Sequence, residues 1–371
     1  MKRFLLQCLL TFITMPAVVH VQAQSRRNAL DSLDYKIGQM IMIGIEDRKS
    51  LPENDPLIKD LKAGRVGGIV LFEKNIAPVN SKEKLKQLIT DLQQAAATPL
   101  FISIDEEGGL VHRMKPKYGF VAMPSAAYLG RINNVDTTLY YNRRLVKEMS
   151  EVGINFNYAP DVDMAVNPEN PVIAKVNRSF SADGGIVAKH AGMCILAHHE
   201  GGIKTILKHF PGHGSSSTDS HLGLVDVTNT WTTAELQPYK ILLQTRQVDA
   251  IMTAHIVNRK LDPAGYPATL SRRIVQGLLR DSMGFQGVVC SDDMQMGAIT
   301  QHYGFENAIS LAINAGVDVL LFGNSVGTAS QRITPSSILE IIKRQVQSGK
   351  ISRAQIDAAY ARIRQLKQKT Y

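Results

Sequence analysis

Gly287-Val288-Val289-Cys290-Ser291-Asp292-Asp293 is an apolar run that ends abruptly in two carboxylates. A strand that is apolar at consecutive positions, not at alternate ones, has both faces covered, as strands of a parallel sheet do. Seven further runs have the same character: Ile37 to Gly44, Gly67 to Phe72, Leu100 to Asp105, Ile154 to Pro160, Ile203 to His209, Ala250 to Ile256 and Val317 to Gly323. Amphipathic stretches separate them, among them Lys82 to Ala97, Thr137 to Val152, Gly184 to His199, Thr233 to Gln247, Ser271 to Met283 and Glu306 to Ala315. Several carry end signals: a capping box at Thr232 and Glu235, an N-cap at Ser271, and terminating glycines at Gly153, Gly284 and Gly316.

Eight strand-helix units over about 290 residues, with no linker rich in Pro, Gly or Ser, predict one α/β domain, a single (β/α)8 barrel of the TIM type. The domain is expected over residues 30–371, and Ser336 to Lys369 is expected to form a C-terminal helical tail around a turn at Gly349. On such a barrel the reactive groups belong at the C-terminal ends of strands and in the loops beyond. Polar residues collect there. Asp105-Glu106-Glu107-Gly108-Gly109 ends the third run, Asp161 and Asp163 the fourth, and Lys208-His209-Phe210-Pro211-Gly212-His213-Gly214 the fifth; His255 ends the sixth and Ser291-Asp292-Asp293 the seventh.

Side chains alternate along a strand, so Asp292 and Asp293 cannot both face the barrel axis. One is available as nucleophile or base while the other bonds backbone or caps the next helix. In the loop after the fifth run, Asp219 stands two residues before His221. A carboxylate at that distance can fix the imidazole tautomer and raise its basicity, as a general acid/base requires, although a solvated loop would tolerate the same residues.

A metal is not expected. His209 and His213 are split by Pro211-Gly212, the helix face with His190, Cys194 and His198 suits a core, and Met40 to Asp47 lacks the His-x-His pair of metal-dependent barrel hydrolases. Gly67-Gly68 and Gly108-Gly109 do not make a dinucleotide fingerprint, so no cofactor is expected.

The chain of 371 residues has 44% hydrophobic and 20% charged residues, which excludes disordered and fibrous classes. Its N-terminus reads as an export signal over residues 1–23: Lys2 and Arg3, an interrupted apolar run from Phe4 to Val21, and Val21-Gln22-Ala23 as a cleavage site. Removing it takes two cations, so the formal charge falls from +9 to 9 − 2 = +7. With 6% aromatics there is no interleaving of basic and stacking residues, so no nucleic-acid partner is expected. No integral membrane segment is expected after signal removal, Cys194 and Cys290 are not expected to pair, and the protein is expected to be a monomer.

The strings Lys208-His-Phe-Pro-Gly-His-Gly214 and Asp219-Ser-His221, with Ile104-Asp-Glu-Glu-Gly-Gly109, Asn177-Arg-Ser-Phe180 and Cys290-Ser-Asp-Asp-Met294, closely resemble the β-N-acetylglucosaminidases of glycoside hydrolase family 3. The likeness runs from about Ile37 to Lys367. It implies a retaining exo-β-N-acetylglucosaminidase with Asp292 as nucleophile, His221 as general acid/base and Asp219 as its partner. It also implies that Asp105, Arg113, Arg178, Lys208 and His209 bind the sugar. Leu110 replaces the Arg common in the family, and Asn170 to Arg178 is about two residues longer than usual. The expected substrate is a GlcNAc-containing glycan or muropeptide, met in the periplasm or outside the cell. The alternatives are a phosphorylase or β-glucosidase of the same family, a metal-dependent hydrolase, and a barrel that only binds glycans.

Overall fold

The computed structural model describes residues 32–218, 223–325 and 332–371. The expected export signal, Asp219 and His221 lie outside the described residues.

The eight runs supply the eight strands of a parallel barrel: β1 (Ile41–Gly44), β2 (Gly68–Leu71), β3 (Phe101–Ile104), β4 (Phe156–Asn157), β5 (Lys204–Phe210), β6 (Ala250–Thr253), β7 (Val288–Ser291) and β8 (Leu320–Phe322). Hydrogen bonding follows the order β7-β6-β5-β4-β3-β2-β1-β8, and a parallel bridge between Cys290 and Val319 joins the two ends. The register sets, for example, Ile43 opposite Ile69, Ile69 opposite Ile102, and Cys290 opposite Met252, and it shifts between Leu207 and Phe210 where β5 pairs with β6. The barrel is thus nearly closed, with helices around it.

Every residue of β1, β2, β3, β5, β6, β7 and β8 is buried, which is what continuous hydrophobicity predicted. Inside, Ser103 Oγ donates to Ile69 O at 2.9 Å and pairs with the Tyr158 hydroxyl, which also contacts Met42 Sδ. Outside, the helix Val135–Val152 buries Leu145, Val146, Met149 and Val152. Burying a side chain of that size stabilises by about 1.5–3 kcal/mol, against tenths for helix propensity, so packing decides where these helices lie. Gly153 and Gly316 end their helices at φ 96° and 111°, a backbone region open to glycine.

Three expectations need correction. Ile37 is not in a strand: Leu33–Gln39 forms a helix capped by Ser32, and the strand starts at Ile41. Gly38 lets that helix approach the turn beyond Lys62, since a Cβ there would stand 2.3 Å from Gly64 O. The segment from Ser271 keeps its cap, Ile274 N to Ser271 Oγ at 3.1 Å, but winds as a π-helix over Arg273–Ser282. The capping box at Thr232 and Glu235 does not form: Thr232 makes no side-chain cap, and Glu235 turns into the interior at 1% exposure.

The tail forms two helices, Pro335–Gln347 and Arg353–Gln368, and pairs with Leu33–Gln39 through Lys36–Asp357 and Lys343–Asp34, each 2.9 Å. Among the described residues, no helix is long and apolar enough to cross a membrane.

Candidate active site

The C-terminal end of β3 runs into an antiparallel hairpin, Glu106–Gly108 against Val111–His112. Gly108 has φ 101°, and a Cβ there would meet Pro124 O at 2.3 Å, so the Gly-Gly pair is a steric requirement of this turn. Glu106 serves the fold: buried, it accepts from the amides of Arg113 and Met114 and from His112 Nδ1. Alternation leaves Asp105 and Glu107 for the opposite side.

Those two carboxylates meet a lysine from β5. Lys208 Nζ lies 2.6 Å from Asp105 Oδ1 and 2.6 Å from Glu107 Oε1. Burial works against the ammonium, yet Asp105 and Glu107 outweigh it and hold Lys208 above its ordinary value. Arg178 grips Glu107 with two hydrogen bonds of 2.8 Å, lies 3.2 Å from Asp161 Oδ2, and donates to Val172 O and to His209 Nε2. Despite burial, Arg178 and Lys208 hold the Glu107 carboxyl well below the usual carboxylate range. Arg113 is the outer member, its guanidinium 3.8 Å from Asp105 Oδ2.

The segment after β4 orients the histidine. His209 Nδ1 donates to Asp163 Oδ2 at 2.7 Å, and Asp163 Oδ1 accepts the His213 amide at 2.7 Å. Against burial, His209 keeps the Asp163 carboxyl low, whereas burial and the neighbouring Asp163 push Asp161 well above the usual range. Burial also pushes the His213 imidazole down to about 4, so it is neutral near pH 7.

On β7, Asp292 Oδ1 accepts the amide of Asp293 at 2.7 Å. Asp293 Oδ1 accepts from Gln295 and from Gly323 beyond β8, so this carboxylate is spent on backbone. His255, at the end of β6, bonds Thr269 through Nδ1 and the Asp293 carbonyl through Nε2. Asp105 and Asp293 both act on the buried Tyr158 hydroxyl, so the ends of β3 and β7 share one electrostatic neighbourhood.

Residues 32–366 match the glycosyl hydrolase family 3 N terminal domain. The chain belongs to glycosyl hydrolase family 3. A β-hexosaminidase of Idiomarina loihiensis is 36% identical over 298 residues, covering 78% of this chain and 86% of its own. One from Tolumonas auensis is 35% identical, covering 71% and 78%. Among solved structures, a family 3 β-N-acetylglucosaminidase from Paenibacillus matches with a TM-score of 0.82 at 33% identity, over 91% of this chain and 62% of that one. A β-N-acetylhexosaminidase from Beutenbergia cavernae matches at 0.79 and 27% identity, over 91% and 99%.

The family 3 barrel brings Asp105, Arg113, Arg178, Lys208 and His209 into one cluster, with Asp292 at the end of β7. Arg178 reaches it although its segment is long, because Asn170 Oδ1 accepts the amides of Val172 and Ile173 and folds the extra length into turns. Leu110 sits at the hairpin tip, 68% exposed. Sequence reasoning placed Glu107, Asp161 and Asp163 at strand ends but gave them no role; Glu107 joins Lys208 to Arg178, and Asp163 orients His209. The alternation of Asp105 and Glu107 was the available signal.

Asp161, Asp163 and His209 offer donor atoms within 4.8 Å of one another, a metal-sized grouping. Those donors are already engaged: Asp163 by His209 and His213, Asp161 by the Asp163 amide and the Arg178 guanidinium. A cation there would compete with Arg178, so the set does not fit a resident metal. The other histidine face is core: His190 bonds Thr138, His198 bonds Cys194 O and Asn157, and Cys194 and Cys290 are buried free thiols.

Proposed function

We propose that this family 3 glycoside hydrolase is a retaining exo-β-N-acetylglucosaminidase that removes terminal GlcNAc from peptidoglycan fragments or related glycans. The observation that carries the reading is the charge cluster at the barrel mouth, in which the buried Lys208 bridges Asp105 and Glu107 while Arg178 holds Glu107 from the other side. Such a constellation presents oriented donors and acceptors to a hydroxylated ring while leaving a carboxylate at β7 for the anomeric carbon. The names of the similar enzymes support the aminosugar.

In this reading Asp292 attacks the anomeric carbon and forms a glycosyl-aspartate ester as the bond to the leaving oxygen breaks. His221, paired with Asp219, gives that oxygen its proton. His221 then takes a proton from water, whose oxygen attacks the anomeric carbon and returns Asp292 as a carboxylate. Asp105, Arg113, Arg178, Lys208 and His209 hold the hydroxyls and the N-acetyl group. A histidine in the acid role departs from the usual pair of carboxylates. The segment 1–23 would direct the enzyme to the periplasm or outside the cell, where such glycans occur.

A slow fluorinated N-acetylglucosaminide tests this by trapping the intermediate. Peptide mass mapping should find the added sugar on the peptide containing Asp292; a label elsewhere, or none with turnover intact, overturns the reading.

A further inference from the structure

Beneath the loop that follows β5, the inward-turned Glu235 carboxyl is packed against the loop's first residues. Its Oε2 accepts the Ser215 amide at 3.3 Å, and its Oε1 has no hydrogen-bond partner among the described residues. The Ser215 hydroxyl is also buried and lies near the carboxyl without hydrogen-bonding geometry. The fit is close: a Cβ on Gly212 would stand 2.7 Å from Glu235 Cβ, and one on Gly214 3.2 Å from Glu235 Oε2. Gly212 is therefore the residue that lets the chain settle on this side chain, whereas Gly214 is required chiefly by Met164 O, which would stand 1.9 Å from a Cβ there.

Other grips on the same stem are neutral or charge-matched. Asn170 Nδ2 donates to His213 O and Gly214 O, Asn167 Nδ2 to Ser216 O, and Trp231 Nε1 to Pro211 O. Glu235 differs. The groups that act on it are Ser215 and the Gly214 amide from the loop, Asp163 from the segment after β4, and the buried Tyr239 hydroxyl from the helix Gln237–Gln244. Asp163 is negative and the hydroxyls and amides are uncharged, so none of these offers a positive charge to an ionised Glu235. A carboxylate buried without a cation or a full set of donors is unfavourable, whereas a neutral carboxyl is tolerated.

We propose that Glu235 is a positioning residue for the reaction: as a neutral acid it seats the stem Gly212 to Ser216, three residues ahead of Asp219, and its ionisation unseats that stem and slows turnover. The inference rests on the role proposed above for His221. Burial pushes the Glu235 carboxyl up to about 7; contacts from Ser215 oppose the shift and Asp163 adds to it. The raised value fixes the sign: the stem is seated below that pH and loosened above it.

Glu235→Gln keeps the shape and cannot ionise. With p-nitrophenyl N-acetylglucosaminide and each profile normalised to its own maximum, the wild-type kcat should fall through an alkaline limb near pH 7. In Glu235→Gln that limb should move up by about one pH unit or more, with KM moving less than kcat. Coincident limbs overturn the proposal. Hydrogen exchange on the wild-type protein supplies a reading that needs no variant. Corrected for base catalysis, protection of the amides 212–216 should fall about tenfold between about pH 6 and about pH 8.5; constant protection overturns the proposal. Wild-type protein inactive on aminosugar glycosides would instead overturn the functional reading, leaving the exchange result to decide Glu235.

Discussion

Lys208 Nζ and Glu107 Oε1 lie 2.6 Å apart with both side chains almost fully buried, and Arg178 closes on the same carboxylate from the other side. One acid from the β3 hairpin thus fixes two cations from distant segments. Leaving a buried charge unpaired costs about 3–5 kcal/mol. Glu107→Gln should therefore lower kcat/KM on the order of 10²-fold and reduce thermal stability, because Lys208 and Arg178 lose their shared anchor. Michaelis–Menten kinetics and a melting curve test this; activity within about threefold of wild type would show that Glu107 is dispensable to the cluster.

The adjacent carboxylates of β7 should separate cleanly. Asp292→Gly should lose about 10⁴-fold or more in kcat and regain turnover with azide, which supplies the missing nucleophile. Asp293→Ala should instead destabilise, by about 1–3 kcal/mol, since it removes the oxygen that accepts the Gln295 and Gly323 amides. Azide rescue of the Asp293 variant and not the Asp292 variant would reverse the assignment.

Acid should unfold the protein through its buried histidines. Burial pushes both His198 and His213 from 6.5 down to about 4, so each is neutral in the folded chain. Between those values the unfolded chain binds more protons; the stability they contribute is complete above pH 6.5 and is lost as pH falls toward 4. At about 1.4 kcal/mol per pH unit, each histidine accounts for roughly 3 kcal/mol across that window. Urea midpoints measured against pH should show the loss, and His198→Gln should remove about half of it. A midpoint unchanged down to pH 4 would exclude this mechanism.

Chelation should leave turnover unchanged within about twofold. At the Asp161, Asp163 and His209 grouping, Asp163 bonds His209 and the His213 amide, His209 Nε2 accepts from Arg178, Asp161 Oδ1 accepts the Asp163 amide, and Asp161 Oδ2 is ion-paired to Arg178 at 3.2 Å without a hydrogen bond. Loss of activity on treatment with EDTA, restored by a divalent cation, would contradict that assignment of the donors.

Legibility in the sequence followed the range of the forces involved. The eight continuous apolar runs announced a parallel barrel because a strand covered on both faces has no polar alternation to show, and that property is local. The ends of those runs named Asp105, Lys208, His209 and Asp292, since a barrel places reactive groups where each strand stops. Glycines such as Gly153 declared helix ends for an equally local reason. Ile37 misled because a short apolar run looks alike in a strand and in a one-sided helix; Ser32 and the close approach at Gly64 decided for the helix.

The structure alone decided the partnerships. Glu107 lies 71 residues from Arg178, and their bidentate contact depends on the barrel closing and on Asn170 folding the intervening turns. Glu235 carried a helix-capping signal, yet the space beneath Gly212 drew it inward and left it without a positive charge among the described residues. Sequence by itself determined which residues are apolar, which end a strand and where the chain can turn. Which carboxylate meets which cation, and which acid stays neutral, depends on distance and desolvation in three dimensions, and those arise only once the strands have closed.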